Sequence, residues 1–228
     1  MYRLLSSIAM LGIALSCVTT ASAQEIKRTL VFNYSVGVQN TTRLQSDSSQ
    51  ADVNHNASDK GTITVGIEGV EADGGLVTSV SEKSLSGTRS SSPVTCVVYP
   101  STNIVCATGV VQPEEYSVLR PLSPKFFDPT ALDANRHWKV ADGGVTIDFT
   151  ATPQSSGLID INAQRTEKMS GAQRGSVEAT AKYVYDMGRL TPVSLTEYQT
   201  IRAETGAGTF GNLTVDFSAT LATDSAVK

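Results

Sequence analysis

The sequence predicts a mainly β protein, an antiparallel meander of about 8 to 10 strands that forms a curved sheet, a half-open barrel or a sandwich. Three observations predict this fold class. Apolar and polar residues alternate in several separate runs, turn motifs rich in Asp and Gly separate these runs, and one proline-rich stretch around 113–138 interrupts them. We therefore expect one sheet-based domain with a short helical, proline-rich connector.

Alternation with a period of two is the strongest local signal. Successive side chains of a strand point to opposite faces, so each alternating run presents one apolar face. The apolar positions of these runs are Leu30, Phe32, Tyr34 and Val36; Ile63, Val65 and Ile67; Val145, Ile147 and Phe149; Ile159, Ile161 and Ala163; Val177, Ala179, Ala181, Tyr183 and Tyr185; and Leu213, Val215, Phe217, Ala219 and Leu221. Because the intervening residues are mostly polar, one face is predicted to be buried and the other to meet water.

Turn-forming residues lie between these runs. Residues 73–75 (Asp-Gly-Gly), 142–144 (Asp-Gly-Gly) and 186–189 (Asp-Met-Gly-Arg) are the clearest turns. Short connections of this kind force neighbouring strands to run antiparallel, since a parallel pair needs a long crossover. The Ser- and Asn-rich segment 39–60 and the Ser-rich segment 84–92 lack apolar periodicity, and they are predicted to be loops or a ragged strand edge.

The proline-rich connector has its own pattern. A proline can occupy the first turn of a helix, where its missing N–H costs nothing, so a short helix is predicted to begin at Pro124 or Pro129. The aromatic residues Phe126, Phe127 and Trp138 lie in or beside this stretch. We expect the connector to cap an open end of the sheet with these side chains.

The N-terminal segment predicts export. Residues 1–23 contain one positive charge, Arg3, an apolar run from Leu4 to Val18, and small residues ending at Ala23. This is the pattern of a signal peptide cleaved after Ala23, which leaves 24–228 as a single all-β extracytoplasmic domain, periplasmic or extracellular. The alternative is a lipoprotein anchored through Cys17. The residues before Cys17 fit that alternative poorly, because a large aliphatic residue is expected where Ala14 stands.

Charge and hydropathy exclude several partners. Cleavage after Ala23 would remove one of the 18 basic side chains and none of the 22 acidic ones, so the remaining chain has a small acidic excess. Such a charge balance argues against nucleic acid or an anionic membrane surface as a partner. The apolar run at the N-terminus is shorter than the roughly 20 residues of a membrane-spanning helix, so no stable membrane span is expected.

Two cysteines remain after the predicted cleavage. Cys96 and Cys106 lie symmetrically about a turn centred on Ser101, which places them opposite each other in a hairpin. Facing cysteines are close enough to bond in an oxidising compartment. We therefore predict a cross-strand disulfide between Cys96 and Cys106.

No motif predicts catalysis, a metal site or a cofactor. His55 and His137 are the only histidines, and no Gly-x-Ser-x-Gly sequence surrounds any serine. The candidate paired carboxylates, by residue type alone, are Glu114, Glu115, Asp128, Asp133, Asp148 and Asp160. The loop acids 47, 52 and 59 do not have the spacing of a calcium loop. The sequence therefore predicts no catalytic residue, no metal ligand and no cofactor.

The remaining functional hypothesis comes from shape. A curved sheet with one apolar face often leaves a groove, as in periplasmic lipoprotein carriers with a half-open barrel, so we expect a non-enzymatic protein that binds a lipid or another apolar or amphiphilic ligand. The predicted groove-lining residues are Phe32, Tyr34, Phe149, Tyr183, Tyr185, Phe217 and Trp138. The alternative is an envelope or surface structural module that contacts other envelope proteins. A hydrolase or an outer-membrane β-barrel fits the sequence less well, since catalytic motifs and aromatic girdles are not evident.

Overall fold

The structure of the protein is a computed structural model that describes residues 27–46, 49–87, 90–107, 111–124, 126–127, 135–142, 144–169, 174–205 and 209–226. The predicted signal peptide and the alternative anchor Cys17 lie outside these described residues.

Eleven strands form one antiparallel sheet. They are β1 (Arg28–Ser46), β2 (Ser49–Val70), β3 (Leu76–Ser84), β4 (Val94–Val98), β5 (Ile104–Cys106), β6 (His137–Asp142), β7 (Val145–Pro153), β8 (Leu158–Met169), β9 (Arg174–Asp186), β10 (Thr191–Thr205) and β11 (Thr209–Ala226). Their order across the sheet is β5-β4-β3-β2-β1-β11-β10-β9-β8-β7-β6. The predicted mainly β fold and its meander are confirmed, as a curved sheet that does not close into a barrel.

The strand order places the two ends of the described chain in the middle of the sheet. β1 pairs with β11, and the meander runs outward from this pair to the edge strands β5 and β6. A bidentate ion pair between Arg28 and Asp224, with N–O distances of 2.6 and 2.5 Å, joins the start of β1 to the end of β11. Because the chain leaves the sheet at β5 and returns at β6, the segment between them has to cross from one edge to the other.

Of the two alternatives predicted for 39–60, loops were wrong, whereas a ragged strand edge fits residues 49–60, which pair with β1 but not with β3. β1 continues to Ser46 and β2 begins at Ser49, so the two strands stay paired through this polar segment. Polar side chains support each other across the pair, as when the Thr41 hydroxyl donates a 2.8 Å hydrogen bond to Asn54 Oδ1. Backbone pairing and polar cross-strand contacts therefore extend the hairpin where no apolar face marks it.

The core lies on one face of the sheet, as the alternation predicts. Leu30, Phe32, Ile161 and Leu195 are at most 1% exposed, whereas the residues between the buried positions are mostly exposed or half-buried. The crossing segment covers this face with α1 (Pro113–Leu119) and a 3-10 turn (Arg120–Leu122). The connector thus covers the buried face of the sheet, as a second sheet would in a β-sandwich.

The connector contains a helix, as predicted, but this helix begins at Pro113 and not at Pro124, and Pro129 lies outside the described residues. Pro113 occupies the first turn, where its missing N–H is not needed. The Glu115 carboxylate accepts a 2.7 Å hydrogen bond from the Gln112 backbone N–H, which closes the helix start. This capping contact, together with burial of Val118 and Leu119, places the helix earlier in the connector than the proline pattern suggested.

The Cys96–Cys106 disulfide is present, with both cysteines directly opposite each other in the β4–β5 hairpin. Val97 pairs with Val105 in the predicted register. The bond attaches β5, which has three residues, to the sheet. Such a disulfide is compatible with an oxidising extracellular or periplasmic location. Within the residues that the structure describes, no helix combines the length and the apolar character needed to cross a membrane.

Replacing both cysteines (Cys96→Ser and Cys106→Ser) is expected to lower the free energy of unfolding by about 2 to 3 kcal/mol, because the bond closes a short loop in the unfolded chain. Urea unfolding of the oxidised protein and the double variant measures this difference. Dithiothreitol should lower the stability of the parent protein by a similar amount and leave the variant unchanged. Equal stability of the oxidised parent and the variant would show that the disulfide contributes nothing.

Candidate functional site

Two aromatic residues of the connector lie against the buried face of the sheet. Phe126 is fully buried, and its ring centroid is 5.0 Å from that of Phe149 and 4.9 Å from that of Tyr183, both in edge contacts. Phe127 contacts Trp138 at 5.7 Å and Tyr185 at 6.1 Å between centroids. The connector therefore inserts its aromatic side chains into the face that it crosses.

The predicted groove-lining residues all lie on this one face of the sheet, in two groups. Four of them, Trp138, Phe149, Tyr183 and Tyr185, surround Phe126 and Phe127; we call these four the aromatic floor. The other three are Tyr34 and Phe217, which stack at 6.3 Å, and Phe32, which is fully buried. The chain's own phenylalanines thus occupy the space above the aromatic floor.

Open space lies next to the aromatic floor, between the two edges of the sheet. A cleft of about 360 Å³ has residues 101–104 of the β4–β5 hairpin on one side and β6 and β7 on the other. We call it the edge cleft. Its lining residues are Ser101, Thr102, Asn103, Ile104, Tyr116, Arg120, Val140, Val145, Ile147, Arg165 and Glu167. Apolar side chains of β6 and β7 therefore face polar side chains of the hairpin, the connector and β8.

Charged side chains collect at the inner end of the edge cleft. Arg165 forms an ion pair with Glu167 at 2.6 Å. Glu197 lies between the two arginines, with its Oε1 atom 3.8 Å from Arg120 Nη1 and 3.9 Å from Arg165 Nη1. Glu197 is 5% exposed, and its Oε2 atom has no hydrogen-bond partner in the described part of the chain. Two buried or half-buried arginines thus share one incompletely bonded carboxylate.

Arg120 contributes its guanidinium both to this cluster and to the lining of the edge cleft. Its side chain is 17% exposed, and its guanidinium forms no hydrogen bond with any described residue. Burial and the nearby Arg165 charge lower the pKa of Arg120, and Glu197 opposes them. Burial, with a smaller contribution from Glu197, raises the pKa of the neighbouring Tyr183. Guanidinium donors that face the edge cleft can bind a carboxylate, a phosphate or a hydroxyl-rich group.

A second polar cluster attaches α1 to β3. The Ser91 hydroxyl accepts a hydrogen bond from the Glu82 backbone N–H at 2.6 Å and donates one to Glu115 Oε1 at 2.9 Å. Burial is the main cause that raises the pKa of Glu115, and the Glu82 charge adds to it. The Tyr34 hydroxyl donates to Glu82. The two Ser91 contacts link Glu115 of the helix to β3, and the Tyr34 contact links β3 to β1, so the cluster positions the helix above the core.

The other candidate residues from the sequence do not come together. His137 lies 3.7 Å from Asp148 on the exposed edge of the sheet, and His55 is exposed on β2. Among the described residues, no group of three or more His, Cys, Asp or Glu side chains could hold a metal ion.

The charged cluster of the edge cleft was missed in the sequence, although a signal for it exists. Arg165 continues the inward-facing positions Ile159, Ile161 and Ala163, and Glu197 follows Leu195 in the same way. Charged residues at inward positions of an apolar alternation are costly to bury unless they are paired. A charged residue at an inward position of an apolar run, such as Arg165 or Glu197, therefore predicts a polar site on the buried face.

The edge cleft combines hydrogen-bond donors with an apolar wall, so its geometry suits a ligand that has a polar head and an apolar body. No protein-family model matches the chain, and no curated protein has a matching sequence.

Proposed function

We propose that the protein is a non-enzymatic, secreted or periplasmic binding protein that holds a small amphiphilic ligand in the edge cleft. The observation that supports this proposal is the Arg120 guanidinium, which lines the cleft and has no hydrogen bond to a described residue. Its ion-pair partner Glu197 lies 3.8 Å away, beyond hydrogen-bond distance, so a ligand oxygen in the cleft can accept the hydrogen bonds that this charged group donates. Function would then consist of binding and release.

The lining of the edge cleft sets the orientation of the ligand. An anionic head would sit at Arg120, with Asn103 and Tyr116 able to add hydrogen bonds. The apolar body would lie along Val140, Val145 and Ile147 on the opposite wall. A volume of about 360 Å³ is at the low end of small-molecule sites, so a ligand with one short or medium alkyl chain fits best.

The aromatic floor is the second part of this proposal. Ile147 lines the edge cleft and also a void of about 10 Å³ beside Phe149 and Tyr183. A longer alkyl chain would reach the floor only if it displaced Phe126. The floor residues contact the connector, and they would contact a ligand in its place.

Dodecanoate should bind to the full chain, and Arg120→Met should weaken its binding at least tenfold, because a hydrogen bond to a charged group contributes about 1.5 to 3 kcal/mol. Isothermal titration calorimetry measures the affinity. Lys139→Met is the matched control, since Lys139 lies next to the cleft-lining Val140 on β6, is exposed and does not itself line the cleft. Dodecanol, which lacks the charge, should bind Arg120→Met and the parent protein about equally.

Two controls keep this test independent of folding. Near-ultraviolet circular dichroism shows whether Arg120→Met retains the packed structure. Tyr116→Phe removes one hydroxyl from the cleft without a change of charge and should weaken dodecanoate binding by a smaller factor. If dodecanoate does not bind, or if it binds the parent protein and a folded Arg120→Met variant equally, the proposal is wrong.

A further inference from the structure

We propose that the outer face of the sheet has a second binding site, which takes a ligand with two or more closely spaced phosphate groups. The site is a groove of about 900 Å³ at the end of the sheet where β8 and β10 end and β9 and β11 begin. We call it the outer groove. It lies on the opposite face of the sheet from the aromatic floor, and it does not depend on the function proposed for the edge cleft.

Strand register assembles the outer groove. One row of side chains runs across five neighbouring strands on the face that points away from the core. The row consists of Thr41, Asn212, Arg202, Ser176 and Lys168, in the order of the strands β1, β11, β10, β9 and β8. Each of these side chains can donate a hydrogen bond, and none is acidic.

Arg174 adds a third cation to the row. It lies two residues before Ser176 on β9, so it is diagonally opposite both Lys168 and Arg202. Diagonal neighbours in a sheet are separated by about 7 to 8 Å. Lys168 and Arg202 are two strand spacings apart, which is about 10 Å. Three long cationic side chains at these separations can converge on one ligand.

Cations outnumber carboxylates around the outer groove, where Glu178 is a diagonal neighbour of both Lys168 and Arg202. Lys168, Arg174 and Arg202 are exposed, and none forms an ion pair with a described residue. Arg43 also lines the groove, and Glu204, the cross-strand neighbour of Arg174, is the one acidic residue of the lining that the structure describes. The whole chain has a formal net charge of −4, so this excess of positive charge is local.

The chemistry of these cations favours phosphate. Two of the three are arginines, and a guanidinium presents parallel N–H donors that match two oxygens of one phosphate group. The three positive charges of Lys168, Arg174 and Arg202 exceed the negative charge of a single phosphate group. A ligand with two adjacent phosphates, either free or on a lipid headgroup, therefore fits the outer groove best.

Two probes test the site with the full chain. Pyrophosphate is titrated by calorimetry, and vesicles of phosphatidylcholine with about 20% cardiolipin are tested by flotation, since cationic side chains attract anionic headgroups. The variant with Lys168→Gln, Arg174→Gln and Arg202→Gln should bind at least tenfold more weakly. Raising the salt concentration should weaken binding to the parent protein, because these charges are exposed.

A charge-matched control separates the site from overall charge. The variant with Lys60→Gln, Lys83→Gln and Lys139→Gln loses the same number of exposed cations elsewhere and should bind like the parent protein. Ser176→Asp, a single exchange in the middle of the row, should weaken binding even if the triple variant fails to fold.

The outcomes distinguish the source of the phosphate. Binding of pyrophosphate alone supports a soluble ligand, and binding of vesicles alone supports a lipid headgroup. The proposal is overturned if neither probe binds the parent protein. It is also overturned if Ser176→Asp and the control variant bind as tightly as each other.

Discussion

Phe126→Ala should lower the free energy of unfolding by about 3 to 5 kcal/mol, the cost of removing a large, fully buried aromatic side chain. Phe126 contacts Phe149, Tyr183 and Tyr185, so the exchange removes three aromatic contacts together with the buried area. Urea unfolding followed by the fluorescence of Trp138, the only tryptophan, measures the loss.

Val118→Ala is the matched control for Phe126→Ala. Val118 is also fully buried on the connector, but the exchange removes two methyl groups and should cost about 1.5 kcal/mol. A loss below 1 kcal/mol for Phe126→Ala would show that Phe126 does not pack on the aromatic floor.

The same variant tests whether the aromatic floor can hold a ligand. A dry, apolar cavity in a protein can bind a small apolar molecule such as benzene. Benzene at about ten times its dissociation constant should restore about 1.4 kcal/mol to Phe126→Ala. It should leave Val118→Ala unchanged. No recovery in Phe126→Ala would mean that the floor collapses when the phenyl ring is removed.

The buried face of each strand could be predicted from the sequence, because the alternation of apolar and polar residues is a property of that strand alone. Phe32, Phe149 and Tyr183 are buried where the period of two places them. The Cys96–Cys106 hairpin was equally local, since its symmetry about Ser101 fixes the register. Local patterns of this kind need no information about distant parts of the chain.

The pairing of β1 with β11 could not be predicted in that way. The ion pair of Arg28 with Asp224 joins residues that are 196 positions apart, and alternation does not say which strands are neighbours. For the same reason, the outer groove could not be predicted from the sequence. Its cations Lys168, Arg174 and Arg202 are scattered along the sequence, so no basic cluster is visible until register brings three strands together.

The candidate site was partly predictable. The aromatic residues of the floor were identified, but the connector was expected to cap an open end of the sheet and instead packs on its buried face. The full burial of Phe126 was not predicted, because a proline-rich segment has no periodicity that assigns its side chains to a face. Arg120 lies in the same segment and was missed for the same reason, although Glu197 interrupts a predicted apolar face.

Glu197→Leu should destabilise the protein by about 3 kcal/mol, because it removes the ion-pair partner of the buried Arg120 guanidinium. The figure is at the low end for a broken buried pair, since Arg120 keeps 17% exposure to the edge cleft. Arg165 is affected less, because it retains Glu167 at 2.6 Å. Urea unfolding at neutral pH measures the loss.

The double variant Arg120→Met with Glu197→Leu should recover most of this loss, because apolar side chains of similar volume replace a buried ion pair at little or no cost. Glu167→Leu is the control: its side chain is 33% exposed, so the loss of its ion pair should cost less than about 1 kcal/mol. A double variant no more stable than Glu197→Leu would contradict the assignment of Glu197 as the counter-charge of Arg120. Recovered stability without dodecanoate binding would separate the two roles of Arg120, since its charge would then be dispensable for folding and required for the ligand.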